Sequence, residues 1–503
     1  MKRVLLFFLL PLALPVAAQV DLHLSSATRG GSEVVLYRYD DPFTRRTVRL
    51  TGTRFDSSGH ALLRADIQQR TKAFIALGDG GLDLFLDPGK TYSITLEDVG
   101  GAGARSLSTT ARTPFVLNDL DPLDINALVS DLNERLDAFL AEDLATDAVA
   151  GMQAVRVVKQ KGPANDTVPR RPPTLFVVPD LNDARVDTFE QKLRRFYADV
   201  EDPWFQRHVE LAVADLRVGP RTNNGALYDR YLKGHPPATD DAQYVMLLRN
   251  IFGESLRSRL HQQQPMVVKR VIAKAEIDSL LLLFAEDDRL EGDAATRELV
   301  MLDELYREFH SGLFDRKGIR SILEQASRKG SSAATRKIAA NMVLDLTSMG
   351  IGDVLPAMDL ALDRGMHIDS ILKGPVYMMT LASWCTYCEQ QLVALESLAS
   401  EYHPYFTFLV VGTDGDKADW HRFVEGRAPS PIVWAWAKDR SRAMEDLRIR
   451  SVPAYFLLNG DRIARNPAPA PSEGLAAILH KARTQAQEEK KIKFGDGEAP
   501  PRR

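Results

Sequence analysis

Two cysteines occur among the 503 residues of the chain, and both stand in one stretch, Ala382-Ser383-Trp384-Cys385-Thr386-Tyr387-Cys388. Every use of sulfur chemistry in this protein must therefore be built around a single C-x-x-C. Upstream lies the apolar run Val376-Tyr377-Met378-Met379-Thr380-Leu381, and downstream Leu392, Leu395, Leu398, Ala399 and Tyr402 recur at spacings of three and four. This pattern predicts a strand, then the motif, then an amphipathic helix. It places Cys385 at a helix N-terminus, where unpaired N–H groups and the positive end of the helix dipole favour a thiolate. The thiolate is the nucleophile of disulfide exchange. Cys388, one turn on, is placed to close onto the same sulfur.

Two other uses of the pair fit poorly. A bridge across two intervening residues closes a very small loop, so it restrains the unfolded chain little and makes a weak structural staple. A structural zinc site needs four ligands, and His208, His235, His261 and His310 are scattered without paired spacing to one another or to the cysteines. No metal and no cofactor is expected. The 64 basic and 68 acidic residues leave a net charge of -4, which gives no electrostatic case for nucleic acid or an anionic membrane surface.

The first residues predict export. Met1-Lys2-Arg3 is a basic start, Val4 to Leu14 is an apolar core interrupted by Pro11, and Val16-Ala17-Ala18 supplies small residues before Gln19. These are the parts of a secretory signal peptide spanning 1–18, with cleavage after Ala18. The apolar run falls short of the roughly 20 residues that cross a bilayer, and no cysteine near the cleavage position offers lipid attachment. The mature protein is expected to be soluble.

The length suggests roughly three domains. Residues 19–117 read as an antiparallel β-sandwich, with strands at Val34–Tyr39, Thr47–Phe55, Thr71–Leu77, Leu82–Leu86 and Thr91–Leu96. Asp83, Asp87 and the pair Asp40-Asp41 read there as turn carboxylates rather than calcium ligands. Residues 118–350 read as an all-α region. Leu299, Leu302, Tyr306 and Phe309 mark one helical stripe, Asp315 is a candidate N-cap, and Ile338, Met342 and Leu346 mark a further helix. Pro203 is expected to break a helix beginning near Asp187, and Phe189, Phe196, Tyr197, Trp204 and Phe205 are expected in the core. A loop of turn formers is expected over 161–174, and the triplet Asn165-Asp166-Thr167 is too short a match to carry weight. Residues 351–486 alternate in the α/β manner. Strands are expected at Tyr405–Val411 and Ile432–Ala437, a hairpin in which Ser451–Leu458 turns at Asn459-Gly460-Asp461 into Arg462–Ala464, and helices at Trp420–Gly426, Ser441–Leu447 and Ser472–Arg483. The charged tail, 487–503, is expected to be disordered.

This order of elements, with Trp384-Cys385-Thr386-Tyr387-Cys388 after a strand and Pro453 ahead of the hairpin, resembles the thioredoxin fold. The wider organisation resembles multidomain bacterial periplasmic proteins of the thioredoxin-like family that includes TlpA and ResA. Val354-Leu355-Pro356-Ala357-Met358-Asp359-Leu360 resembles the segment leading into the redox domain of those proteins. The resemblance implies a cis Val452–Pro453 peptide beside the motif. It also implies that the Val452 backbone pairs with an extended client segment, and that Trp384 shields the cysteines and offers a flat docking surface. It implies a periplasmic thiol-disulfide oxidoreductase acting on exported protein thiols or disulfides, with a membrane thiol donor and cytochrome c maturation components as conceivable partners. The sequence specifies no oligomeric state.

The chain departs from that family in its acids. Thioredoxins carry a buried acid in the strand before the motif, where this chain has Met379. ResA-like proteins place a glutamate three residues past the second cysteine, where this chain has Gln391. Glu389 remains as a helix residue four positions from Cys385. The departures keep open a second reading, a binding or adaptor protein whose redox domain is feeble.

Overall fold

The computed structural model describes residues 18–78, 80–97, 111–160, 183–219, 222–262, 265–362, 366–449 and 451–495. The expected signal peptide, the loop over 161–174 and its glycosylation triplet lie outside the described residues, save Ala18, which opens the first strand. The chain forms two compact units: one from the chain up to Tyr39, Thr47–Asp119 and the chain from Thr347 onward, the other from Asp40–Arg46 and Leu120–Leu346. Among the described residues no helix is long and apolar enough to cross a membrane.

The first unit begins with two packed sheets. Its strands are β1 (Ala18–Ser25), β2 (Glu33–Tyr39), β3 (Thr47–Arg54), β4 (His60–Ile67), β5 (Thr71–Leu77), β6 (Gly80–Leu86), β7 (Thr91–Leu96), β8 (Ala111–Arg112) and β9 (Phe115–Asn118). One sheet has the order β4-β1-β7-β9 and the other β3-β2-β5-β6-β8. Alternation builds the core between them: Leu63, Ala65 and Ile67 on β4 and Leu82, Leu84 and Leu86 on β6 are buried while their neighbours Arg64, Asp66 and Asp83 are exposed. Pairing is antiparallel except for β1 with β7 and β6 with β8, which run parallel. The β3–β4 turn requires Gly59, whose φ is +80° and whose absent Cβ would meet the Ser26 carbonyl oxygen at 1.9 Å.

The second unit is helical. Carboxamide and carboxylate side chains start its helices: Asp202 accepts from the N–H of Phe205, Asn223 from Ala226, Asp241 from Gln243, Asp293 from Thr296 and Asp315 from Gly318. Pro203 does not break a helix, as the sequence reading had it. The helix from Asp183 ends at Phe196, and Pro203 opens the next one, Pro203–Asp215, in the first turn, where no N–H is needed. Of the five aromatic residues expected in the core, Tyr197 and Phe205 are buried, whereas Phe196 lies exposed under the Arg135 guanidinium. Phe43, from the loop between β2 and β3, is buried in this unit's core. That loop is held by Asn341, whose Nδ2 donates to Asp40 and Asp41 at 2.8 Å each, so the acidic pair is engaged by an amide.

The chain returns to the first unit with a six-stranded sheet of β10 (Leu360–Leu362), β11 (Pro375–Leu381), β12 (Thr407–Gly412), β13 (Ile432–Ala437), β14 (Ala454–Asn459) and β15 (Arg462–Arg465). Its order is β10-β13-β12-β11-β14-β15. Strands β11, β12 and β13 are parallel neighbours, joined by the helices Thr386–Tyr402 and Lys417–Glu425, and β14 and β15 add an antiparallel hairpin. Within this unit Arg49 on β3 approaches Asp439 at 3.7 Å, and Tyr37 on β2 has its hydroxyl pushed up to about 12 by burial, with Glu445 adding to the effect. The final helix runs Leu475–Gly495 rather than ending at Arg483, so the tail expected to be disordered is helical through 495. Gln485 to Lys493 is rich in good helix formers, and Gln487 donates to the Tyr405 hydroxyl at 3.2 Å.

Candidate active site

Strand β11 sits at the centre of the six-stranded sheet, with a parallel neighbour on one side and an antiparallel one on the other. At the carboxyl end of such a strand the chain connections diverge and leave a crevice. The motif lies there. β11 is apolar and buried from Val376 to Leu381 because both its faces are covered, and Leu392, Leu395, Ala399 and Tyr402 bury one face of the helix that follows. Each of these large side chains contributes about 1.5–3 kcal/mol, which fixes the helix start relative to the strand end.

Cys385 is the N-cap of the helix Thr386–Tyr402, with φ -83° and ψ 102°, and its sulfur accepts from the Cys388 N–H at 3.1 Å. Cys385 and Cys388 are joined as a disulfide with Cα atoms 5.2 Å apart. Cys388 is fully buried, whereas Cys385 retains 7% exposure. The Val452 carbonyl oxygen lies 3.9 Å from that sulfur, and the Val452–Pro453 peptide is cis. Strand β14 starts immediately afterwards and is locked to β11 by Thr380, whose hydroxyl oxygen accepts from the Ala454 N–H at 3.1 Å.

The C-terminal domain has a thioredoxin-like fold.

No family model and no curated protein matches the chain. Solved structures do resemble part of the chain. The thioredoxin domain of a thiol-disulfide oxidoreductase from Bacteroides vulgatus is 18% identical and covers 27% of this chain and 98% of its own, with a TM-score of 0.24. A thiol:disulfide interchange protein from a Bacteroides species is 20% identical over 27% of this chain and 91% of its own, with a TM-score of 0.24. A thioredoxin-like protein from Bacteroides caccae is 12% identical and covers 50% of this chain and 95% of its own, with a TM-score of 0.32.

The thioredoxin-like domain brings Cys385, Cys388, Val452 and Pro453 together, and Trp384 packs half-buried against the same core. The Trp384 indole N–H is buried with no partner among the described residues. Met379 and Gln391 have clear local roles. Met379 is fully buried between β12 and β14. Gln391 is tied to Ser472: its Nε2 donates to the Ser472 hydroxyl at 2.9 Å and its Oε1 accepts from the Ser472 N–H at 3.2 Å. An amide both donates and accepts, which a carboxylate cannot do. Glu389 is half-buried and pairs with Arg427 at 3.5 Å.

Three further residues at the site escaped the sequence reading. Asp414, in the turn after β12, is 1% exposed and accepts at 2.9 Å from the Ser383 N–H. Ser383 also donates from its hydroxyl to the same Asp414 oxygen. Tyr455, two residues past Pro453, has a buried hydroxyl with no partner among the described residues, and burial raises its pKa. A carboxylate just past a central parallel strand was the available signal for Asp414, since that strand end borders the crevice.

Proposed function

We propose that this chain is an exported thiol-disulfide oxidoreductase that exchanges disulfides with protein clients through Cys385 and Cys388, working chiefly as a reductant. The observation that carries the reading is the Cys385 sulfur at the helix N-cap, accepting a backbone N–H and facing the Val452 carbonyl beside cis Pro453. In the reduced protein that N–H and the helix dipole favour the thiolate at Cys385. The thiolate attacks one sulfur of a client disulfide, the client's other sulfur leaves as thiolate and takes a proton from water, and a mixed disulfide forms. Cys388, deprotonated by solvent or a nearby base, attacks Cys385, which releases the second client thiol and leaves the 385–388 disulfide. Two electrons pass from the cysteine pair to the client, and a further thiol donor must return them. The backbone of Val452 offers β-type pairing to an extended client segment, and Trp384 a flat surface beside it.

Export to a periplasm rests on the basic, apolar and small-residue order of residues 1–18. Client proteins are then exported chains with disulfides to be reduced, and a membrane thiol donor supplies the electrons.

The test is dithiothreitol-driven reduction of insulin by the full chain and by Cys385→Ser. The wild type is expected to accelerate the reaction and the variant to leave it at the uncatalysed rate; equal rates would overturn the reading. The adaptor alternative draws on the same geometry, because Met379 and the Ser472-bound Gln391 leave Cys388 without the family's acids. Cys388→Ala separates the two: an enzyme accumulates mixed disulfides through Cys385, whereas an adaptor captures partners without them.

A further inference from the structure

The motif turn is anchored from an unexpected direction. Ala382 to Cys385 forms a closed turn, with the Cys385 N–H donating to the Ala382 carbonyl at 3.0 Å. Asp414 reaches into the middle of that turn. Its carboxylate accepts at 2.9 Å from the Ser383 N–H and also from the Ser383 hydroxyl. Asp414 itself is held rigidly. Its carbonyl accepts from the Trp436 indole N–H at 2.9 Å, and the preceding Thr413 donates its N–H to the Leu381 carbonyl at 2.8 Å. Gly412 permits this close layer, because a Cβ there would meet the Trp420 ring at 2.3 Å.

We propose that Asp414 is a positioning residue whose buried carboxylate both fixes the turn that presents Cys385 and restrains the formation of negative charge on that sulfur. This deepens the oxidoreductase reading and rests on it. Both donors of Ser383 fall on one oxygen of the Asp414 carboxylate. Ser383 stands two residues from Cys385, which limits the chain path between them to about 7 Å. With Asp414 1% exposed, solvent and salt screen its charge little. The helix N-terminus therefore draws charge onto Cys385 while Asp414 opposes it, and the balance sets how much thiolate is present. Among the described residues, the titratable groups beside the motif include Glu389, which Arg427 engages, the exposed Tyr387, Cys388, and Tyr455 on β14. Of the carboxylates among them, Asp414 is the one hydrogen-bonded to the turn ahead of Cys385.

The measurement is the pH dependence of alkylation of the reduced full chain, which reports Cys385 because Cys388 is fully buried. Asp414→Asn keeps an acceptor for Ser383 and removes the charge. The midpoint is expected to fall by roughly one pH unit, giving about tenfold more thiolate at a fixed acidic pH. Ser383→Ala keeps the charge and removes one donor that tempers it, so its midpoint is expected to rise. An Asp414→Asn midpoint at or above wild type would overturn the proposal. So would a Ser383→Ala midpoint that stays put or falls, since a fall would mean that loosening of the turn is what matters. Insulin reduction by wild type is read separately: its absence would sink the oxidoreductase reading while the titrations still decide the role of Asp414.

Discussion

At the scale of single residues, the site is a set of side chains each restrained by a different element. Gln391 has a structural task of its own. Its amide satisfies both the N–H and the hydroxyl of Ser472, at the start of the segment leading to the last helix. Gln391→Leu, similar in volume, removes both hydrogen bonds to the exposed Ser472, and a loss of about 0.5–1.5 kcal/mol is expected in urea unfolding. The alkylation midpoint of Cys385 is expected to stay where it is; a shifted midpoint at unchanged stability would instead place Gln391 at the sulfurs. Cys385 and Cys388 were legible in the sequence because their spacing and flanks suffice to put them on a strand-to-helix turn. Pro453 was legible through the resemblance, and its peptide is cis. Asp414 was not, because its link to Ser383 spans 31 residues and depends on which strand lies beside β11. No local pattern encodes strand order.

At the scale of elements, strongly periodic segments were readable and their ends were not. β5, β7 and β13 fall where alternation or an apolar run placed them. β1 and β4 escaped notice. β1 runs into the small-residue end of the expected signal peptide, and β4 carries the charged Arg64 and Asp66 between its buried residues. Pro203 was misread because proline disfavours helix interiors and favours first turns, and the deciding feature is the residue before it. Asp202 caps the helix through the Phe205 N–H at 2.9 Å. Asp202→Ala is therefore expected to cost about 0.5–2 kcal/mol in thermal or urea unfolding. Pro203→Ala is expected to change stability by less; a clear stabilisation would restore the reading of Pro203 as a breaker.

At the scale of the whole molecule, the helical unit depends on buried ion pairs. Glu190, with a side chain 6% exposed, is bound by Arg217 at 3.0 Å, Arg230 at 2.6 Å and Arg194 at 3.0 Å. Burial alone would raise its pKa, but the hydrogen bonds and charges of Arg217, Arg194 and Arg230 outweigh burial and hold it below the ordinary glutamate value. A depressed carboxylate stabilises above its unfolded pKa, near about 4.3, and that stability disappears as the pH falls through the lower folded value. Acid titration of helical circular dichroism is expected to show this loss. Glu190→Gln should flatten the dependence in that window and cost about 1–3 kcal/mol at neutral pH, since Arg217 and Arg230 keep Asp187 and Arg194 keeps Glu210. A variant with wild-type neutral stability and an unchanged acid slope would remove Glu190 from that role.

The first compact unit draws on both ends of the chain, with Leu120–Leu346 made in between. Chains emerge from the ribosome N-terminus first, and domains fold largely as they appear. The two sheets of β1–β9 are thus finished long before the thioredoxin-like domain that shares their unit exists. The β2–β3 loop must likewise hold Phe43 out until the helices that bury it are made. The order of synthesis therefore runs against the order of assembly, and for that interval the early sheets and the loop between them depend on their own packing or on a chaperone that covers what the later residues will bury.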